Sequence, residues 1–196
     1  PAYYGRKLRK RPVAQVLDEI EGSVVDHHVR DVLFWADTFT AERSYVADLC
    51  EGLLQRRLEV AWTCNSRVDT VDQALLSRMR EAGCWMVSFG LESASLDILE
   101  RCGKGIHPEQ IERAVHLAHG AGLRISGHFM LGLPGETRET MASTLAMALR
   151  LPLDTAQFYA ASPFPGTRLH DEAVREGWLG RSNGFSQGRA VMELPG

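Results

Sequence analysis

The sequence predicts an α/β fold: about five parallel strands with flanking helices, forming an open sheet or an incomplete (βα) TIM-type barrel. Three observations lead there. Short apolar runs alternate with helix-patterned stretches of roughly 10 to 15 residues, which implies parallel pairing through right-handed crossovers. The runs are nearly continuous in apolar character, as in strands covered on both faces. One unit also occurs twice: Ala82-Gly83 leads into a run ending at Gly90, and Ala121-Gly122 into a run ending at Gly132. Helix, glycine stop, strand, glycine is one βα step repeated. A complete eight-unit barrel takes about 250 residues, so this chain of 196 residues holds less than a full ring.

The elements follow in order. Five of the six residues from Arg6 to Arg11 are basic, which reads as a solvated arm over residues 1–11. Pro12 suits a first helical turn, and Val13, Val16, Leu17 and Ile20 recur at helical spacing. Val32–Ala36 reads as the first strand. Thr40 is placed to cap a helix that carries Tyr45, Val46, Leu49, Leu53 and Leu54 on one face. Leu58–Thr63 reads as the second strand. Thr70-Val71-Asp72-Gln73 is a capping-box pattern opening a helix that stops at Gly83. Cys84–Phe89 is the third strand. A helix-forming stretch follows, and His107-Pro108 opens a helix to about His119. Leu123–Leu131 is the fourth strand, Glu136–Leu149 a helix, and Thr155–Ala160 the fifth strand. The partial barrel is expected over 12–180, with a loop or tail over 181–196. Trp35, Trp62 and Trp85 each fall in a predicted strand and are expected in the core.

Composition narrows the function. Hydrophobic residues are 44% and charged residues 24% of the chain, so disorder is excluded as its main state. A net charge of -3 gives no global attraction to nucleic acid. No apolar run is long enough to span a membrane, and no signal-peptide pattern is present. Cys50, Cys64, Cys84 and Cys102 are separated by 14, 20 and 18 residues, which reads neither as a zinc nor as an iron–sulfur ligand set. Reduced, mostly buried thiols in a cytoplasmic protein are expected. Only Lys7, Lys10 and Lys104 are lysines, and none is placed for Schiff-base chemistry. The chain opens on Pro1, so it is expected to be a piece of a longer one.

Polar residues recur where the strands end. They are Asp37 and Thr38, then Asn65, Ser66 and Arg67, then Glu92 and Ser93, then Gly132–Thr137, then Ser162–Thr167. In a parallel sheet these loops open on one rim, where ligands bind. Carboxylates, an amide, an arginine and hydroxyls suit a small zwitterion carrying a ribose. Plainer readings exist for each: Asp37 as a helix-start residue, Arg67 as an ion-pair partner of Asp69 or Asp72, Glu92 as a dipole-favoured carboxylate, Gly132-Leu133-Pro134-Gly135 as a tight turn. No dinucleotide or P-loop fingerprint occurs. His116 and His119 could share a metal but lack a supporting carboxylate motif. His128 lies inside the fourth strand, as a core histidine or a rim residue.

The strings Phe34–Thr40, Trp62–Asp69, Phe89–Ser93, Lys104-Gly105-Ile106, Gly127–Thr137 and Pro163–Thr167, in this order and spacing, resemble the radical SAM superfamily, specifically its cobalamin-binding class. The resemblance covers roughly residues 5 to 178. It implies a partial barrel of six βα units on which S-adenosylmethionine meets a 4Fe-4S cluster. Reductive cleavage there gives a 5′-deoxyadenosyl radical, in this class often for cobalamin-assisted methyl transfer. It implies that Asp37 and Thr38 hold the ligand's amino group and that Asn65 and Arg67 supply polar contacts. Glu92 and Ser93 would serve the ribose and carboxylate region. Gly127, His128 and Met130 would lie beside the adenine, and Phe158 and Tyr159 would edge against the base. A small-molecule substrate and an electron donor such as flavodoxin or ferredoxin are implied as partners.

The chain departs from the family pattern in two respects: it contains no cobalamin-binding domain, so any cobalamin is expected to be held by a domain outside it, and it lacks the cluster-binding loop. The C-x3-C-x2-C loop that holds the cluster would precede Tyr3, so the first unit is expected to be missing and this stretch is expected to be inactive alone. The competing expectation is a catalytically silent α/β module that binds a nucleotide-like ligand or a partner. A metal-dependent barrel hydrolase would need more than His128 at its strand ends.

Overall fold

The computed structural model describes residues 8–179 and Met192. The basic arm before Leu8 and the expected tail, apart from Met192, lie outside the described residues. In chain order come α1 (Val13–His27), β1 (Asp31–Phe34), α2 (Arg43–Gln55), β2 (Ala61–Ser66), α3 (Gln73–Glu81) and β3 (Cys84–Glu92). They are followed by α4 (Leu96–Arg101), α5 (Pro108–Gly120), β4 (Arg124–Leu131), α6 (Arg138–Arg150), β5 (Thr155–Ala160) and α7 (Arg168–Arg175). Single 3-10 turns, Phe39–Ala41 and Val68–Thr70, follow the first two strands. The sheet order is β1-β2-β3-β4-β5, and every pair is parallel. Helices of roughly three turns return the chain to the starting edge, so each new strand joins its predecessor in the same sense.

Alternation along the strands divides their two faces. Trp62 and Cys64 of β2, Val87, Phe89 and Leu91 of β3, and Ile125 and Phe129 of β4 are buried in one core with Leu49, Leu53, Leu76, Met79 and Ile111 of the helices. The Trp62 indole donates to the Ala82 carbonyl at 2.7 Å, and its ring meets Phe34 edge-on. The opposite face is open. Trp35 is 84% and Leu33 53% exposed, and β5, the edge strand, is exposed along Thr155–Phe158 on both faces.

Coverage of both strand faces is therefore corrected: apolar continuity did not distinguish the helix-covered face from the concave face of an incomplete barrel. Trp35 lies beyond β1 on that open face and not in the core. Trp85 is half-buried.

Helix starts also differ from expectation. Thr40 does not cap α2, which begins at Arg43 after Glu42. Its buried hydroxyl instead bonds those of Ser66 and Thr70, the latter at 2.5 Å. Asp72 and not Thr70 caps α3, accepting from the Leu75 amide at 2.9 Å. β2 begins at Ala61 and not Leu58, because Val60 and Leu58 close a tight turn, with the Val60 amide donating to the Leu58 carbonyl at 2.9 Å.

Gly83 is at φ 96°, and a Cβ there would lie 2.2 Å from the Val60 carbonyl oxygen. Gly103 is at φ 66° with open space around it. Gly83→Ala should therefore cost about 3 kcal/mol and Gly103→Ala about 1 kcal/mol in urea unfolding of the full chain. Equal losses would contradict the packing described.

Candidate functional site

Because every strand runs the same way, all C-terminal ends reach one edge, and the concave-face residues nearest that edge meet. A hollow of about 300 Å3 is lined there by Asp37 and Thr38 after β1, Asn65 and Arg67 at and beyond the end of β2, Glu92 of β3 and His128 of β4. The proposition that Asp37, Arg67 and Glu92 face one hollow between parallel strands holds in the structure.

The polar groups of the hollow fall into two sets. The side chains of Asp37 and Asn65 make no hydrogen bond or ion pair among the described residues, so both line the hollow uncommitted. Arg67 and Glu92 are held. The Arg67 guanidinium donates to both carboxylate oxygens of Asp69, at 2.9 and 2.8 Å, and to the Lys104 carbonyl at 2.8 Å. Arg67 thus has the Asp69 pairing that its plainer reading foresaw, and it also lines the hollow. It holds the Asp69 carboxyl below the usual carboxylate range. Lys104 Nζ lies 2.6 Å from Glu92 Oε1, with the two side chains only 19% and 20% exposed.

Glu92 ends β3 at φ 62°, a left-handed conformation that a side chain adopts at a cost of about 1 kcal/mol or more. The pairing register with β4 shifts between Gly90 and Glu92. A Cβ at Gly90 would come within 2.9 Å of Lys104 Nζ and 3.1 Å of Glu92 Oε1, so glycine leaves the floor of the hollow open. The hydroxyls of Thr40, Ser66 and Thr70 fix the two loops beside it, and Thr70 also donates to the Arg67 carbonyl at 2.9 Å.

Glu92 and His128 also line a second hollow, of about 360 Å3, with Met130 and Tyr159. The His128 and Tyr159 rings stack with centroids 5.7 Å apart. The Tyr159 hydroxyl is 3.2 Å from His128 Nδ1, and the Ser126 hydroxyl is 3.3 Å from Nε2. Burial pushes the His128 pKa below its ordinary value, with Glu92 opposing the shift.

Three expected residues are not brought in. Ser93 is buried, with its hydroxyl 3.3 Å from that of Thr144 and accepting from the Ser95 amide at 3.2 Å. The turn at Glu92 sends the next side chain into the protein. At Gly127 a Cβ would meet Leu153, Leu91 and Phe129, on the helix side of the sheet. Phe158 stacks on Phe129 at 5.1 Å on that same side. Conversely, Lys104 lines the first hollow without having been given a role. Its signal was a lone lysine between two glycines, one of three lysines in the chain. Ser88 also lines the hollow, and nothing in its neighbourhood in the sequence marks it.

The donor set fits a zwitterion with a ribose: an uncommitted carboxylate, an uncommitted amide, a guanidinium, and a glycine floor. It does not fit an iron–sulfur cluster. Cys50, Cys64 and Cys84 are buried in the core, burial pushes the Cys50 thiol up to about 12, and Cys102 stands alone at the end of α4. Among the described residues no group of three His, Cys, Asp or Glu side chains could hold a metal, which leaves His116 and His119 without a third ligand. No described helix is long and apolar enough to cross a membrane. A larger cavity of about 580 Å3 lies between α1 and β1. The charged residues there include the Lys10–Glu42 and Arg11–Glu19 pairs, each already closed on itself.

Fold and rim together define a parallel partial barrel with a ligand hollow at its strand ends. The chain belongs to the radical SAM superfamily: the model of that family matches residues 1–148. It is 39% identical over 176 residues to an uncharacterized methyltransferase, PH0819, of Pyrococcus horikoshii, covering 90% of this chain and 38% of that protein. It is 34% identical over 171 residues to the anaerobic magnesium-protoporphyrin IX monomethyl ester cyclase of Rubrivivax gelatinosus, covering 86% and 31%. The chain thus spans about a third of the length of these relatives. Among solved structures, the radical S-adenosylmethionine methyltransferase TsrM of Kitasatospora setae, with tryptophan and a SAM analogue bound, superposes with a TM-score of 0.78 at 22% identity, covering 85% of this chain and 34% of that one. Another structure of TsrM holds cobalamin and a [4Fe-4S] cluster.

Two predictions follow from the site's geometry. His128 should titrate below 6.5 in an NMR pH series. The unfolded chain takes up a proton near 6.5 that the folded imidazole resists. The stabilisation is therefore complete above that pH and lost as pH falls toward the folded value, and His128→Gln should remove this dependence. Ser93→Ala should lower stability by about 1 kcal/mol and leave the ligand affinity of the hollow unchanged in calorimetry. An affinity loss would return Ser93 to the site.

Proposed function

We propose that this chain is the S-adenosylmethionine-binding core of a radical enzyme. The observation that carries the proposal is the pair of uncommitted groups, Asp37 and Asn65, in the same hollow as Arg67, Glu92 and His128. Asp37 accepts from the ligand's ammonium group. Asn65 and the remaining edge of the Arg67 guanidinium serve its carboxylate. Glu92, aimed by its ion pair with Lys104, meets the ribose hydroxyls. Met130 and Tyr159, with neutral His128 between them, give the adenine an apolar wall with a polar edge.

Held this way, the sulfonium ion takes up one electron and its bond to the 5′ carbon breaks. The products are methionine and a 5′-deoxyadenosyl radical, which removes a hydrogen atom from substrate. The iron–sulfur cluster of this superfamily, when bound, supplies that electron. Its ligands are not among this chain's cysteines, and we assign them to the longer protein. The chain's own part is to bind the ligand, orient the breaking bond and keep water from the radical.

For the whole protein we favour cobalamin-assisted methyl transfer to a small-molecule substrate, with flavodoxin or ferredoxin as electron donor. A curated methyltransferase aligned over 90% of this chain, together with the cobalamin-bound TsrM structure, supports that reading. The buried, free thiols Cys50, Cys64 and Cys84 suit a reducing cytoplasm.

The test uses the longer protein that includes this chain and carries the cluster ligands, with its cluster reconstituted, S-adenosylmethionine and dithionite, measuring 5′-deoxyadenosine by chromatography. The wild type should form it. Asp37→Ala and Asn65→Ala, which break no internal bond, should lower the yield about tenfold at subsaturating S-adenosylmethionine through a raised KM. A cluster-loaded longer protein that forms none would overturn the proposal and favour the silent binding module.

A further inference from the structure

Beside the hollow lies a separate cavity of about 440 Å3, between the end of α4, the loop after β4 and the start of α7. Glu92 and Lys104 form the wall it shares with the hollow. Its floor is apolar, made by Met130, Leu133 and Leu169, and Leu133 is anchored with Ile98 and Ala161 in a small core of its own. Over this floor stand Arg101 and Arg168. Neither has a hydrogen bond or ion pair among the described residues.

Local structure keeps these guanidinium groups available. Gly135 is at φ 86°, and a Cβ there would come within 3.0 Å of Arg101 Nη1, so the glycine turn makes room for the arginine. Glu136, in the same loop, is turned onto its own backbone, with Oε2 accepting from the Leu133 amide at 3.0 Å, and burial raises its pKa. Of the two carboxylates lining the cavity, Glu92 is already paired with Lys104, which leaves Glu172 against two arginines. Unpaired guanidinium groups above an apolar floor recognise an anion joined to an apolar body.

The geometry points to this cavity as a substrate subsite for an amphipathic small molecule, whose carboxylate or phosphate meets Arg101 and Arg168 while its apolar part lies on Met130, Leu133 and Leu169. The assignment rests on the hollow being the S-adenosylmethionine site, because the shared Glu92–Lys104 wall is what puts a bound molecule next to the radical.

Cys102 reports on occupancy. It lines the cavity and is exposed, whereas Cys50, Cys64 and Cys84 are buried. The experiment follows alkylation of Cys102 in the full chain by N-ethylmaleimide, read by peptide mass spectrometry, with octanoate, octyl phosphate or neutral octanamide present. At least one anion should slow the modification about tenfold at concentrations where octanamide has no effect. The anion that protects at lower concentration identifies the group recognised. Arg101→Gln with Arg168→Gln, which removes no hydrogen bond or ion pair among the described residues, should abolish the protection. Equal protection by octanamide, no protection by either anion, or protection that survives the double variant would overturn the inference. Calorimetry with S-adenosylmethionine on the same samples separates the two readings. Intact binding without anion protection defeats the substrate subsite alone, and anion protection without S-adenosylmethionine binding defeats the function proposed above.

Discussion

Parallel pairing of the five strands is the constraint on which the site depends. It delivers each C-terminal end to one edge, and the two-residue period of each strand then decides which side chains face the concave side. Asp37, Asn65, Glu92 and His128 come from four different βα units and are far apart in sequence, yet they line one hollow. A one-residue slip in β3 or β4 would exchange Glu92 or His128 for a neighbour that now lies in the core.

Around that constraint the rim is stiffened by bonds between loops. Arg67 joins the loop after β2 to the connection between α4 and α5 by donating to the Lys104 carbonyl, and Lys104 in turn grips Glu92 at the end of β3. Thr40, Ser66 and Thr70 tie the loop after β1 to the same region from beneath. The committed groups thus position the hollow, while Asp37 and Asn65 are left to meet a ligand. A site arranged so before binding loses less freedom when the ligand arrives.

Much of this was legible in the sequence, for physical reasons that also mark where legibility stopped. The alternation of apolar runs and helical stretches fixed the parallel order, and the polar residues at strand ends located the rim. Trp35 was misplaced because an apolar residue in an apolar run carries no sign of which face it takes, and the concave face of a partial barrel is open. Ser93 was placed in the site because it follows Glu92, but a left-handed residue redirects the chain, and no residue type at that position announced it. Lys104 went unassigned because its partner, Glu92, lies across a helix and a turn. Thr40 and Thr70 looked like helix caps, since a hydroxyl before a helix has that commonest use, whereas here both are spent on a buried contact between loops.

The most direct measurement is a crystal structure of the full chain grown with S-adenosylmethionine. The ligand is expected over Gly90, with its ammonium group on Asp37 and its ribose within hydrogen-bond distance of Glu92. Ligand density in the cavity between α1 and β1, or a hollow in which Asp37 and Asn65 face solvent while the ligand lies elsewhere, would contradict the assignment.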